Sequence, residues 1–230
     1  TFTLSIARTL NRSNIRGDRP DEILGDSFRD IVMNGRLMAA KQPIVDANNG
    51  KISHFEILAR FNDHDSPSDL ILAAEKSGQI SHLDYIMVSA AAAQLENDPN
   101  PALRFAVNVS GETIQHLSIA RELGAVISGH NFERSRLILE ITESAEIIDF
   151  ETASRAVAEI RATGVQVELD DFGAGSATFN YLRSIDVDGI KFDGSFLAAA
   201  SENKRTHALM RNIARMCSEL GIISVGEHVE

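Results

Sequence analysis

The sequence has few of the residues that mark disulfide-rich or membrane-spanning proteins. It contains one cysteine, Cys217, among 230 residues, so no internal disulfide is available. That cysteine lies in an amphipathic segment, where a buried, unreactive thiol is expected. No apolar run approaches the roughly 18 residues that a membrane-spanning helix needs, and nothing resembles a signal peptide. These absences favour a cytoplasmic protein with no membrane contact within this segment.

Positive charge is also scarce. The chain has 22 Lys and Arg against 33 Asp and Glu, a net charge of −11, so it lacks the basic face that a long nucleic acid requires. A small anionic ligand stays open, provided that bound cations offset the acidic residues around it. With 43% hydrophobic residues, the remaining composition is that of an ordinary globular domain.

Polar, turn-forming residues dominate the start of the chain. Gly17, Pro20 and Gly25 interrupt residues 1–26, which predicts a linker or N-terminal extension from an upstream domain. Residues 27–230 suit one domain, since folds of repeated strand–helix units commonly reach about 200 to 250 residues. The pattern breaks off at Glu230, so we expect this domain to be incomplete at its C-terminus.

Short apolar runs alternate with longer helical patterns from residue 37 onward. Seven strands are predicted, at Leu37–Val45, Ile52–Phe61, Phe105–Val109, Leu137–Thr142, Val165–Leu169, Gly189–Phe192 and Ile222–Val225. The helical patterns between them are Ser68–Lys76, His82–Glu96, Glu112–Ser128, Phe150–Thr163 and Glu202–Leu220. Such alternation indicates an α/β protein of parallel units, either a closed β/α barrel or an open doubly wound sheet.

The segment "ANNG", residues 47–50, departs from this alternation. It is too short for a crossover helix, so the first two strands are expected to be antiparallel neighbours. Seven strands are one fewer than a closed eight-stranded barrel needs. We therefore expect a TIM-like barrel with an antiparallel first strand, its eighth strand missing from this chain.

Polar side chains recur within or just past the predicted strands from the second onward. They are Glu56, Asn108, Glu140, Asp170, Asp171, Lys191 and Glu227. In a β/α barrel the carboxyl ends of all strands open onto one face, so these side chains would converge. Because clustered carboxylates repel one another, their convergence indicates bound cations.

The types of these side chains indicate which cations. Carboxylates with one amide oxygen, and no Cys/His spacing of the zinc type, favour Mg²⁺ or Mn²⁺. The adjacent Asp170 and Asp171 suit a bridged pair of ions, and Lys191 would add a fixed positive charge. Hydrolysis of a phosphoester by a metal-activated water is the chemistry this arrangement favours.

Six ordered segments resemble one protein family. They are "KQPIVDANNGKISHFEILARF", "FAVNVS", "LEITES", "ELDDFGAGS", "GIKFD" and "VGEHVE". Together they are similar to the EAL-type cyclic di-GMP phosphodiesterases, with "EIL" in place of Glu-Ala-Leu. The family fold is a β/α barrel with an antiparallel first strand, and the implied reaction opens cyclic di-GMP to linear pGpG.

The resemblance implies a role for each matched position. Glu56, Asn108, Glu140 and Asp170 match the family's ligands for one metal, and Asp170 with Asp171 match those that engage a second. Lys191 matches a lysine that contacts the attacking water, and Glu227 a general base or second-metal ligand. The implied neighbours are Gln42 and Arg60 for the substrate, Glu143 for the loop after the paired aspartates, and Asp193 and Glu230 around Lys191.

The resemblance also implies partners: cyclic di-GMP, an upstream sensor or regulatory domain, and a second copy of the chain in a homodimer. Several positions depart from the family's pattern. In the loop after Asp171 they are Ala174, Ser176 and Ala177, which replace Thr, Tyr and Ser; elsewhere they are His54, His228 and Glu168. For either histidine a packed ring is favoured over a metal ligand, and a buried Glu168 would need a partner.

Simpler interpretations compete at single positions. Asp170-Asp171 alone would read as a turn, and Lys191 as an ion pair with Asp193. The Asp-Phe-Gly string lacks the glycine-rich and His-Arg-Asp loops of a kinase, and "GAGSAT" lacks the third glycine of a nucleotide-binding fingerprint. Ser110 is the better candidate to cap the following helix, which leaves Asn108 for the site.

Two other functions stay open at this point. The altered loop motivates a receptor that holds cyclic di-GMP without cleaving it, although every matched metal ligand is present. A structural partner domain with a vestigial site is the third hypothesis. Hydrolysis and affinity measured on one preparation would separate the three.

Overall fold

A computed structural model of the chain describes residues 2–3, 37–47, 49–61, 67–142, 147–173 and 178–226. The strands are β1 (Phe2–Thr3), β2 (Leu37–Val45), β3 (Ile52–Phe61), β4 (Phe105–Ser110), β5 (Leu137–Thr142), β6 (Gln166–Phe172), β7 (Gly189–Phe192) and β8 (Ile223–Gly226). The helices are α1 (Pro67–Lys76), α2 (Ile80–Asn97), α3 (Gly111–Ile114), α4 (Leu117–Gly129), α5 (Phe150–Arg161), α6 (Thr178–Ser184), α7 (Gly194–Glu202) and α8 (Lys204–Glu219).

The strands lie side by side in chain order, from β1 to β8. β2 pairs antiparallel with β1 and β3, and each later pair is parallel. A doubly wound sheet would reverse its strand order at a switch point. The described strands show no such reversal, so the barrel-type interpretation of the sequence is confirmed and the open doubly wound one is wrong.

The sheet curls strongly. β3 and β7 are four strand positions apart, which is about 19 Å in a flat sheet. Nevertheless, Lys191 Nζ on β7 lies 3.4 Å from Glu56 Oε2 on β3. Two side chains are too short to bridge the flat distance, so the interior face is concave. The fold is an α/β half-barrel of the TIM type.

The turn between β2 and β3 agrees with the interpretation of "ANNG". The N–H of Gly50 donates to the carbonyl of Asp46 at 2.8 Å, and Asn49 Nδ2 donates to the Asp46 carboxylate at 2.7 Å. Gly50 has φ +68°, a left-handed conformation that glycine adopts without the cost of a Cβ clash. The tight turn therefore fixes the antiparallel pairing, with Gln42 opposite Glu56.

Alternation along the strands separates two faces. On β4, Phe105, Val107 and Val109 join one apolar cluster with residues of α2 such as Leu83 and Met87. The residues between them face the interior of the curl, because successive side chains on a strand point to opposite faces. The helices thus cover the outer face, and the inner face is left for polar groups.

The structure differs from the sequence prediction in four places. The helix predicted at Glu112–Ser128 is divided into α3 and α4, because the chain turns at Gln115 and His116. α6 and α7 were not predicted, and β1 lies within the segment interpreted as a linker. The linker at residues 1–26 otherwise falls outside the described residues and stays a prediction.

Within the described part of the chain, no helix combines the length and apolar character needed to cross a membrane. Cys217 is fully buried on α8 with a free thiol, as expected. Desolvation raises the pKa of that thiol, which keeps it protonated and unreactive.

Candidate functional site

Four charged side chains from four strands meet inside the curl. They are Glu56 on β3, Glu140 on β5, Asp170 on β6 and Lys191 on β7. Lys191 Nζ lies 3.0 Å from Asp170 Oδ1, 3.2 Å from Glu140 Oε2 and 3.4 Å from Glu56 Oε2. Lys191 and Glu140 are 0% exposed. We call Glu56, Glu140 and Asp170 the carboxylate cluster.

Lys191 therefore forms ion pairs with the carboxylate cluster. The ion pair with Asp193 considered from the sequence does not account for the position of its ammonium group. Asp193 caps α7 by accepting hydrogen bonds from the N–H groups of Ser195 and Phe196. One ammonium group cannot balance three carboxylates in a desolvated pocket, so the cluster carries excess negative charge.

Two atoms of the site lack a hydrogen-bond partner among the described residues. Asn108 Nδ2 donates to Glu56 Oε1 at 3.0 Å, which turns Asn108 Oδ1 away as a free acceptor. Asn108 Oδ1 and Glu140 Oε1 are both buried and unpartnered. A buried acceptor without a donor is costly, and a bound cation would satisfy both atoms.

The donor set fits a hard divalent ion. One oxygen from each member of the carboxylate cluster lies within 4.8 Å of the others, and Asn108 adds an amide oxygen. Oxygen-only ligands of this kind are those that Mg²⁺ and Mn²⁺ take. The residues present thus fit the ion that the sequence analysis predicts.

Burial dominates the electrostatics of Glu140. Desolvation raises the pKa of this carboxyl well above its usual range, Lys191 opposes the shift, and Glu56 and Asp170 reinforce it. A carboxylate held in this way loses its proton readily only when a further positive charge arrives. A cation bound there would therefore favour deprotonation of the cluster.

The paired aspartates lie within β6, at an irregularity of the sheet. The register between β6 and β7 shifts between Leu169 and Phe172, and Asp171 has φ 54°. In a regular strand, adjacent side chains point to opposite faces. A bulge relaxes that constraint and re-aims side chains, so both aspartates can serve one site, and the turn interpretation of Asp170-Asp171 is wrong.

Asp171 itself is half-buried, and its N–H donates to Asp170 Oδ1 at 2.9 Å. Its predicted contact with a second ion stays a prediction.

Gln42 and Arg60 lie at the rim on the same face as Glu56. Gln42 is directly opposite Glu56 on β2 and is exposed, and Arg60 is four residues further along β3 and half-buried. Arg60 Nη1 donates to the carbonyl of Ala59 at 2.9 Å. Both positions suit contacts with a ligand that enters from the rim.

The remaining predicted positions fall outside the described residues. They are Glu143, Glu227, Glu230, His228, Ala174, Ser176 and Ala177.

A second polar layer lies two residues deeper along the strands. His54 precedes Glu56 and Glu168 precedes Asp170, and each is at least 96% buried. His54 Nε2 and Glu168 Oε2 lack a hydrogen-bond partner among the described residues. The expectation that a buried Glu168 needs a partner is thus unmet at one oxygen.

Space for Glu168 comes from the neighbouring strand. A Cβ added at Gly189 would lie 2.7 Å from Glu168 Cδ, so the glycine accommodates the longer side chain beside it. Burial raises the pKa of Glu168 to about 6, while Lys191 and Arg104 act in the opposite direction. Burial, with Arg104 and Lys191, lowers the pKa of His54 to about 4, which keeps its ring neutral.

Sequence reasoning missed Asp84, a buried carboxylate on α2. The signal was present: Ile80, Leu83, Met87 and Ala91 form an apolar stripe, and Asp84 interrupts it at helical spacing. An acid on the buried face of an amphipathic helix indicates a specific partner inside the protein.

Comparisons with known proteins agree with this geometry. The family model of the EAL domain matches residues 26–230. Cyclic di-GMP phosphodiesterase PdeR of Escherichia coli is 29% identical over 213 residues, which cover 90% of this chain and 32% of PdeR. The chain spans about a quarter to two fifths of the length of the curated relatives it matches.

Solved structures show the same fold. The PaMucR phosphodiesterase in complex with c-di-GMP superposes with a TM-score of 0.79 at 26% identity, covering 90% of this chain and 87% of that chain. The calcium and cyclic di-GMP complex of Klebsiella pneumoniae BlrP1 gives a TM-score of 0.72 at 26% identity, covering 86% and 50%.

Proposed function

Because the chain belongs to the EAL domain family, we propose that it is a cyclic di-GMP phosphodiesterase domain. The proposed reaction is metal-dependent hydrolysis of one phosphodiester of cyclic di-GMP to give linear pGpG. Relatives named as cyclic di-GMP phosphodiesterases, and a neighbour solved with c-di-GMP, support the substrate.

One observation carries the proposal. A buried ammonium group, that of Lys191, lies among three carboxylates within 3.4 Å, and a free amide oxygen lies beside them. A site built only for stability would pair its charges, whereas this one leaves acceptors open in a desolvated pocket. Such a site fits divalent cations and, through them, an anionic phosphodiester.

We assign the cations to Glu56, Asn108, Glu140 and Asp170, with Asp171 engaging a second ion. Mg²⁺ or Mn²⁺ bound there would lower the pKa of a water molecule and offset negative charge on the phosphoryl oxygens. A neighbour solved as a calcium complex supports binding of a divalent ion in this family.

The residues of the chain then supply position and charge. The hydrogen bond from Asn108 to Glu56 engages the amide nitrogen and leaves the amide oxygen free beside the carboxylate cluster. Lys191 places a fixed positive charge where negative charge develops on the reacting phosphate, and it is the group we propose to contact the attacking water. Gln42 and Arg60 would hold the nucleotide at the rim.

Four acidic residues complete the proposal. Glu227 is proposed as general base or second-metal ligand. Glu143 is proposed to brace the loop after the aspartates, with Asp193 and Glu230 as acidic groups near Lys191.

The proposal is tested by turnover on the purified domain. With Mg²⁺ or Mn²⁺ present, we expect cyclic di-GMP to be converted to pGpG, followed by chromatography, and a chelator should stop the reaction. A matched control is Glu159→Ala, which removes a carboxylate that pairs with Arg121 on the exposed helical surface. That variant should retain wild-type turnover.

Other outcomes separate the alternatives. A folded domain that binds cyclic di-GMP without metal-stimulated hydrolysis would contradict the proposal and favour a receptor. Failure to bind either metal or nucleotide in calorimetry would favour a structural partner domain. A cytoplasmic location, an upstream sensor or regulatory domain and a homodimer belong to the same proposal.

A further inference from the structure

A carboxylate outside the proposed site lies beside the carboxyl end of β4, the strand that carries Asn108. Asp84 is on the second turn of α2, is 4% exposed, and points into the interface between that helix and β4. Its neighbours on the same buried face, Leu83 and Met87, belong to the apolar core. A charged group in such surroundings is rare unless it holds specific partners.

Asp84 has two partners, both at the junction of β4 and α3. Its Oδ2 accepts a hydrogen bond from the N–H of Ser110 at 2.9 Å and from the Thr113 hydroxyl at 2.5 Å. The Thr113 hydroxyl also lies 3.1 Å from Ser81 Oγ. Because a hydroxyl has one hydrogen, Thr113 donates to Asp84 and accepts from Ser81.

Ser110 connects Asp84 to the proposed site. It is the last residue of β4 and the N-cap of α3, where its side chain accepts from the N–H of Glu112. Asn108 precedes it by two residues on the same strand. The bond from Ser110 to Asp84 therefore fixes the end of the strand that presents Asn108.

Burial of the Asp84 carboxyl lowers the stability of the fold. Burial raises the pKa of Asp84 to about 7, although both hydrogen bonds act to lower it, and Glu75 and Glu112 add to the rise. An amide could accept the same two hydrogen bonds without a buried charge. A buried group that reduces stability is typical of functional sites.

We propose that Asp84 is a positioning residue for Asn108. By holding Ser110 and Thr113, it keeps the end of β4 in the register at which Asn108 donates to Glu56 and leaves its oxygen free. Ligand orientation by residues behind the ligand commonly changes metal affinity 10- to 100-fold. The inference rests on the proposed function, because it takes Asn108 as a metal ligand.

The first experiment measures Mn²⁺ affinity by calorimetry, without nucleotide. We expect Asp84→Ala to weaken binding by about tenfold, and Asp84→Asn, which keeps an acceptor, to restore most of it. The matched control is Asp188→Ala. Asp188 also accepts a backbone N–H, that of Val167, but at the amino end of the sheet, so this variant should leave Mn²⁺ affinity unchanged.

Two outcomes overturn the inference. One is wild-type Mn²⁺ affinity in folded Asp84→Ala; the other is an equal loss of affinity in Asp188→Ala. If Asp84→Ala does not fold, Thr113→Val removes one of the two donors, and unchanged affinity in that variant would likewise overturn it.

A double-mutant cycle on unfolding separates this inference from the proposed function. If the wild-type domain binds no Mn²⁺, the proposed metal chemistry fails, but Asp84→Ala and Asn108→Ala can still be combined in one chain. We expect their effects on the unfolding equilibrium constant to depart from additivity by about fivefold or more, as for residues that share a network. Additive effects would show that Asp84 does not act on Asn108.

Discussion

The two ends of the curled sheet treat charge in opposite ways. At the amino end, Arg161 donates to Asp188 at 2.7 and 3.1 Å and also pairs with Asp186, while Asp188 accepts the N–H of Val167 at 2.8 Å. At the carboxyl end, one lysine lies among three acids, and acceptor atoms of Asn108 and Glu140 remain open.

This contrast indicates that the amino end contributes to stability, whereas the carboxyl end suits a ligand. Paired, partly exposed charges at the amino end tie β6 and β7 to α5 with little desolvation cost. The carboxyl end leaves costly groups unbalanced, which is expected where a ligand completes the site. The same division is general in β/α barrels, where strand carboxyl ends carry function.

The largest effect is expected on turnover, from a substitution at the carboxyl end of the sheet. Glu56→Ala removes a member of the carboxylate cluster and the acceptor of the Asn108 amide. We expect kcat to fall by about a thousandfold or more, because a lost metal ligand removes several kcal/mol of transition-state stabilisation. Chromatography of the nucleotide product measures this loss. Wild-type turnover in Glu56→Ala would place the chemistry elsewhere.

The next effect is pH-dependent stability at Asp84. Its folded pKa of about 7 exceeds its ordinary value of 3.8, so the native state holds a proton that the unfolded state has lost. Its contribution to stability is therefore present below about pH 4 and is lost as pH rises to about 7.

Asp84→Asn removes this dependence. Its stability relative to the wild type should rise between pH 4.5 and 8, by about 3 kcal/mol at 1.36 kcal/mol per pKa unit. Urea unfolding at both pH values checks the result. A constant difference between the two proteins would show that Asp84 does not titrate in this range.

A third prediction concerns the packing of Glu168 in the second polar layer. Gly189→Ala would place a Cβ 2.7 Å from Glu168 Cδ, and overpacking of this kind costs about 1 to 3 kcal/mol. Glu168→Ala in the same chain should relieve the clash and restore most of the stability. Thermal unfolding of the two single variants and the double variant measures whether the stability is restored. Additive losses of stability would contradict the predicted clash.

The smallest effect is expected at the amino end. Asp188→Ala leaves the Arg161 guanidinium and the Val167 N–H without this acceptor, which should cost about 2 kcal/mol. A domain of this size should then melt about 4 to 8 °C lower, while KM and kcat stay at wild-type values. A fall in kcat without a fall in melting temperature in Asp188→Ala would contradict the proposal that the amino end contributes only to stability.

Much of the fold was predictable because local chemistry decides it. The short "ANNG" turn forces the antiparallel first pair, and the strand candidates follow from apolar runs bounded by turn residues. Ser110 caps α3, as its place before Glu112 suggested. α7 was missed because its segment "GSFLAAASE" carries weak amphipathic patterning, so its position depends on packing against α8 and on the stacking of Phe196 with Phe192.

The site was predictable in composition and less so in detail. Alternation assigned Glu140 to the face opposite Leu139 and Ile141, and the strand ends suggested convergence. The pairing of Lys191 depended on distances across the curl, which no sequence pattern encodes. The role of Asp84 also required tertiary contacts, because Ser110 and Thr113 are more than 25 residues away along the chain.

In the regular strands, the side chains that face the interior can be read from the sequence, because a two-residue period needs only the strand direction. The sequence also determined the oxygen-rich chemistry of the site and the first turn. The meeting of Glu56 and Lys191 across four strand positions depends on the folded sheet, because they are 135 residues apart in the chain. The physical reason is curvature: the sheet must twist and curl as a whole before those side chains come within 3.4 Å.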